Sequence, residues 1–147
     1  MGIKLHEVKL LNGQSLQVRH MPRVLSWALS SAFRITIGQN LYISRSKKLT
    51  EIPMSILMHE IIHSQQQAMI GVFTFWWKYY TSRDFRLSVE ASAIANEIKF
   101  SSSAARRKHL INMYSHKLCS SQYFWAADDF DHAFEEIYRK WSSFDFI

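Results

Sequence analysis

Between Thr50 and Gly71 the chain carries a long helical pattern with two histidines on one face, and this stretch limits what the rest can be. Ile52, Ile56, His59, His63, Gln66 and Ile70 recur at three- or four-residue steps, the spacing of a single helix face. Thr50 suits the N-cap, Glu51 the first turn, Pro53 is tolerable there, and Gly71 is a natural stop. His59 and His63 stand one turn apart, so their imidazoles can aim at one point. Unpaired imidazoles on an apolar face are costly. The fold has to bring them a partner.

The same residues read as H-E-x-x-H, with His59 and His63 supplying two of the nitrogens zinc usually takes. Glu60 is rotated about one residue step from that face, close enough to reach a metal-bound water without being a ligand. Catalytic zinc normally has three protein ligands and one open position. Helical spacing returns over Asp84–Lys99, where Glu90 shares a face with Ala91, Ile94, Glu97 and Ile98. A carboxylate on so apolar a face needs a partner, which favours Glu90 as third ligand. Glu97, two turns later, is the alternative, with Asp84, His109 and His116 behind it. Ala91, Ala93 and Ala95 would let this helix approach its neighbour closely. Gln66, one turn beyond His63, suits orienting a ligand or bonding the neighbouring helix.

Upstream, Ile3–Leu10 alternates apolar and polar residues, Asn12-Gly13 is a hairpin turn signal, and Ser15–Arg19 alternates again. Val24–Ser31 reads as a short helix and Phe33–Ile43 as a hairpin around Gly38. Downstream, Val72–Tyr80 is aromatic and of undetermined type. Its Phe73, Phe75, Trp76 and Trp77 fit a hydrophobic subsite or a membrane surface, with core packing as the default. Ser101–Ser103 interrupts the pattern before Ala104–Leu118. A last helix, Ala126 to Trp141, starts with acids and ends with bases, as the helix dipole favours. The expected fold is α+β: one domain over residues 1–147, a small N-terminal antiparallel sheet packed on the histidine helix, then a mostly helical half.

Charge and cysteine usage narrow the partners. Lys and Arg number 18 against 12 Asp and Glu, a net +6. Residues 1–50 hold eight of the bases and one acid, Glu7. These bases are scattered rather than in a block, which favours an ordinary solvated face over nucleic acid, with a protein partner through the N-terminal third as the alternative. The Arg106-Arg107-Lys108 cluster reads as a solvated face. Cys119 is the single cysteine, which excludes an internal disulfide framework, and nothing near it in sequence makes it a thiolate. No apolar run reaches the roughly 18–20 residues that span a bilayer, and the N-terminus lacks a secretory pattern. A cytoplasmic chain is expected.

His59-Glu60-Ile61-Ile62-His63 followed by Gln66-Gln67, Tyr79-Tyr80, an Arg and Val89-Glu90-Ala91 resembles small zincin-like metallopeptidase domains of the gluzincin type. The resemblance covers roughly residues 32–98. Domains of this kind are often stand-alone proteins of bacteria and their phages, so a virion-associated location is the alternative to the cytoplasm. The resemblance implies a zincin fold, one zinc ion and hydrolysis of a peptide or protein substrate, with His59, His63 and Glu90 as ligands and Glu60 as general base. Amide hydrolysis also wants a donor for the developing oxyanion, and Tyr79, Tyr80, His109, His116 and Tyr123 are the candidates. The metzincin extension is absent, since Ser-Gln-Gln-Gln-Ala-Met follows His63. The alternative function is a catalytically idle zincin-like structural or binding module in a larger assembly.

Overall fold

The computed structural model describes residues 6–9, 15–22, 34–44, 52–101 and 103–143. Its four strands are β1 (His6–Lys9), β2 (Ser15–His20), β3 (Arg34–Ile37) and β4 (Asn40–Ile43). They form one sheet in the order β1-β2-β4-β3. β1 pairs antiparallel with β2, and β3 with β4, as two hairpins require. The hairpins meet through β2 and β4, which run parallel, with Val18 opposite Leu41. The sheet is therefore mixed, which corrects the expected antiparallel one. Alternation within each strand reveals its faces but not which strands become neighbours. The expected helix over Val24–Ser31, the Asn12-Gly13 turn and the Thr50 cap lie outside the described residues.

Alternation decides the face that packs. Leu16, Val18, Leu41 and Ile43 are buried against Leu57 and Ile61 of helix α1 (Met54–Ile70). The helix begins later than its sequence pattern suggests, with Pro53 at the N-cap and its carbonyl accepting from Ile56 and Leu57. It stops at Gly71, whose φ of 87° suits glycine. Contrary to the simple periodic reading, Ile70 is exposed and Ile56 only half-buried. The buried residues are Leu57, His59, Glu60, Ile61, His63 and Gln67. Polar side chains thus make up most of the buried part of α1.

The aromatic segment is helix α2 (Val72–Thr81), followed by α3 (Arg83–Lys99), α4 (Ala104–Leu118) and α5 (Phe130–Ser142). Ser82, Ser103 and Asp129 cap α3, α4 and α5 through their side chains. The predicted stripe Leu87, Ala91, Ile94 and Ile98 is buried with Leu110, Ile111, Tyr114, Leu118 and Ile137 in a second core. Ala126 and Ala127 belong to that core but precede α5 rather than open it. A smaller cluster joins Phe75, Tyr79 and Val89. α3 packs against α1 on one side and α5 on the other, so it joins the sheet-bearing half to the helical half. Among the described residues no helix is long and apolar enough to cross a membrane.

Gln67 ties the β3–β4 turn to α1. Its Nε2 donates to the Thr36 carbonyl at 2.8 Å and its Oε1 accepts from the Gly38 amide at 2.8 Å. Replacing it strands two backbone groups, so Gln67→Ala and the bulkier Gln67→Leu should each lose about 1–3 kcal/mol in urea unfolding. Full recovery by Leu would show that volume, not hydrogen bonding, is what the site needs.

Candidate metal centre

The junction of α1 and α3 gathers four ionisable side chains that one helix alone could not pair. His59 and His63 project from α1, Glu90 and Glu97 from α3, and all are buried. Glu90 Oε2 stands 3.6 Å from His59 Nε2 and 3.5 Å from His63 Nε2. Both distances are too long for hydrogen bonds, and this oxygen makes none although it is buried. Two ligands about 2.1 Å from a tetrahedral ion stand roughly 3.4 Å apart. The spacing suits a shared cation, and the three ligand atoms lie within 4.8 Å of one another. His59, His63 and Glu90 can therefore hold a metal ion. Two imidazoles and a carboxylate form a donor set that zinc accepts.

The groups behind these three set their orientation. Gln66 Oε1 lies 3.0 Å from His63 Nδ1, and Gln66 Nε2 donates to the Val89 carbonyl at 3.2 Å. With its Nδ1–H bonded there, His63 keeps the Nε2 lone pair for a metal. Glu97 Oε2 sits 3.2 Å from His59 Nδ1, an ion-pair contact rather than an aligned hydrogen bond. It also accepts from Tyr114 at 2.7 Å. Glu97 thus stands at the Nδ1 edge of His59, on the far side of the ring from the Nε2 that faces Glu90, and is not part of the three-residue cluster. Tyr79 donates to Glu90 Oε1 at 2.6 Å, which leaves Oε2 as the oxygen facing the histidines. Arg86 is buried, donates to the Tyr79 carbonyl and to the Phe124 carbonyl, and holds α2 and the 124–125 loop to α3.

Glu60 is gripped from the sheet. Arg34 Nε donates to its Oε1 at 2.6 Å and Thr36 Oγ1 to its Oε2 at 2.7 Å. Arg34 and Thr36 are two apart on one strand and so face the same way. Burial by itself would raise the Glu60 pKa, but the charges of His59, Arg34 and His63 and the Thr36 hydrogen bond hold it below the ordinary carboxylate value. Glu90 is likewise held well down: burial opposes ionisation, and the charge of His63 with the contacts from both histidines outweighs it. For His59, burial disfavours the cation, yet the neighbouring Glu90, Glu97 and Glu60 lift its pKa to about 9.

A cavity of about 400 Å³ opens over this cluster, and Arg34–Thr36, His59, Glu60, His63 and Glu90 all line it. Of the candidate donors, Tyr80 and Tyr123 also line it. The Tyr123 phenol is raised well above its usual pKa by burial and the charge of Glu90, so it stays protonated. Tyr79 reaches the cavity but commits its hydroxyl to Glu90. His109 is exposed on α4, away from the cavity, and the exposed His116 packs on the Phe130 ring at 4.7 Å. Neither lines the cavity. Asp84 is exposed in the first turn of α3, where the helix dipole favours an acid. Cys119 gives its thiol to the Ser115 carbonyl, and burial with Asp129 and Asp128 nearby raises its pKa. It has no thiolate character.

Arg34, Thr36, Arg86 and Tyr114 are not among the candidates the sequence offers, and Gln67 is named there only within the Gln66-Gln67 pair. For Arg34 and Thr36 there was a signal, an Arg and a Thr sharing one strand face just upstream of a helix that buries Glu60. The other three are ordinary in sequence and gain their roles from partners far along the chain.

Metal binding requires neutral imidazoles, so it must expel the proton that His59 holds in the metal-free chain. Zinc affinity measured by competition with a chromophoric chelator should rise about tenfold per pH unit up to pH about 9 and then level. Because the folded pKa is raised above 6.5, His59 stabilises the metal-free fold fully below pH 6.5. That contribution is lost as the pH rises through about 9. Glu90→Ala should abolish stoichiometric uptake, and a pH-independent affinity would contradict this account of His59.

No protein-family model, curated protein or solved structure matches the chain.

Proposed function

We propose that the chain is a zincin-like zinc metallopeptidase that hydrolyses peptide bonds. The observation that supports this reading is that Glu60 and the His59–His63–Glu90 cluster share the wall of one open cavity. Zinc, when bound there, supplies a Lewis acid that polarises a carbonyl and brings the pKa of water towards neutrality. Glu60 is ionised and held in place by Arg34 and Thr36. Each carboxylate oxygen has two acceptor positions, so either can still take a proton from water beside those bonds. Glu60 then passes the proton to the leaving amine. Tyr123, protonated and lining the cavity, is the donor best placed for the developing oxyanion. Among the described residues β3 is an edge strand, and its residues 34–36 line the same cavity, which suits an extended peptide lying beside it.

A specific observation favours a second reading. Both oxygens of Glu60 are already engaged, one by a guanidinium at 2.6 Å, and the low pKa makes it a weak base. This is what a zincin-like binding or structural module with an idle site would show. Glu60→Gln separates the two. In the peptidase it keeps one zinc per chain and lowers turnover of a peptide mixture by about 10²–10⁴-fold. Unchanged function with zinc retained selects the idle module, and a folded preparation that gains no zinc on addition overturns both.

A further inference from the structure

Part of the cavity wall has a character unlike the metal cluster. Trp76 and Tyr80 of α2 stack with ring centroids 5.8 Å apart, and Tyr80 meets Phe124 edge to face, also at 5.8 Å. All three line the cavity that His59, His63, Glu60 and Glu90 share. Tyr80 is 59% exposed and Phe124 49%, so this aromatic surface is open to whatever enters. Phe124 reaches it against its backbone preference. Its φ of 52° and the 48° of Trp125 are left-handed values, unfavourable for bulky residues and suited to glycine or asparagine. Polar contacts hold the pair: Arg86 donates to the Phe124 carbonyl, Arg83 to the Trp125 carbonyl, and the Trp125 amide to the Ser120 carbonyl. With half its surface open, the Phe124 ring offsets little of that strain through packing. A strained residue held at a cavity wall points to a functional constraint.

We propose that Phe124, with Tyr80 and Trp76, determines specificity by taking a large aromatic or branched aliphatic side chain of a peptide substrate near the scissile bond. This rests on the metallopeptidase reading and names its substrate class. Such a side chain, laid against the rings, removes its own apolar surface and theirs from water. Ser121 and Gln122, beside Phe124 in the chain, also line the cavity and carry no charge. The charged lining residues are already engaged: Arg34 with Glu60, and Glu90 with Tyr79 and the histidines. A lysine or aspartate side chain placed on the aromatic wall therefore loses hydration without gaining a partner. At about 400 Å³ the cavity has room for a short stretch of peptide. Phe124 lies outside residues 32–98, which carry the zincin resemblance, so this preference belongs to the present chain.

The test uses the full, zinc-loaded chain with end-blocked peptides Gly-Gly-X-Gly-Gly in which X is Phe, Leu, Ala or Lys. Binding is read by calorimetry on the Glu60→Gln variant, and cleavage by mass spectrometry on the unaltered chain. The Phe peptide should bind at least about tenfold tighter than the Ala peptide, with Lys weakest, and cleavage should follow the same order. Adding Phe124→Gly to Glu60→Gln should bring the Phe and Ala peptides within about twofold of each other. The melting temperature should not fall, since glycine accepts the left-handed φ. Phe124→Asn should behave alike. A merely structural Phe124 would do the reverse, lowering the melting temperature and leaving the Phe-to-Ala ratio intact. Trp125 shares the left-handed conformation but does not line the cavity, so Trp125→Gly should leave the ratio unchanged. Equal or absent binding of the peptides overturns the proposal, as does a ratio that survives Phe124→Gly. Preferential binding with no peptide cleaved overturns the peptidase reading and upholds the aromatic wall as a binding site.

Discussion

Three carboxylates, Glu60, Glu90 and Glu97, are each only 4% exposed around the α1–α3 junction. An isolated buried carboxylate is costly by several kcal/mol, so each has to be met by a cation, a hydrogen-bond donor or both. Glu60 takes Arg34 and Thr36 from the sheet, Glu97 takes Tyr114 from α4, and Glu90 takes Tyr79 from α2. The polar centre therefore reaches into nearly every layer of the molecule. What it leaves over is informative: one buried oxygen of Glu90, facing two imidazole nitrogens at metal-ligand spacing.

The two apolar cores give this centre its rigidity. The sheet packs on Leu57 and Ile61, while α3, α4 and α5 pack on one another. The histidines lie between, stacked edge to face at 5.1 Å, with Tyr114 beyond His59 and Phe75 beyond His63. Aromatic walls restrict the rings' rotation and keep bulk water from the far side of the site, which strengthens every charge interaction within it. The open side is the cavity, and there the same helix that secures Glu90 through Tyr79 turns Phe73 and Trp77 outward. One short helix thus serves the interior with one face and the surroundings with the other.

The grip on Glu60 weighs on both functional readings. A base must be ionised and oriented, which Arg34 and Thr36 accomplish. It must also be basic enough to take a proton, which the same contacts oppose. A bound cation near His59 and His63 would displace the imidazole proton that contributes to this balance. The electrostatics of the metal-free chain therefore describe the resting network, and the loaded site is governed by the ion's own charge.

The sequence by itself determined the local order: H-E-x-x-H on one helix, the stripe Leu87, Ala91, Ile94 and Ile98, the alternating strands and the Gly71 stop. These follow from periodicity and backbone preference, which act within a few residues. It also brought forward Glu90, with Glu97 as the alternative, because a carboxylate on an apolar face needs a partner. Only the tertiary structure decided which carboxylate faces the imidazoles' Nε2 atoms and which stands behind Nδ1, since both lie on one face two turns apart. It alone joined β2 to β4 in parallel, set His109 and His116 outside the cavity wall, and gave Glu60 its Arg34. Those outcomes depend on partners tens of residues away, which no local pattern specifies.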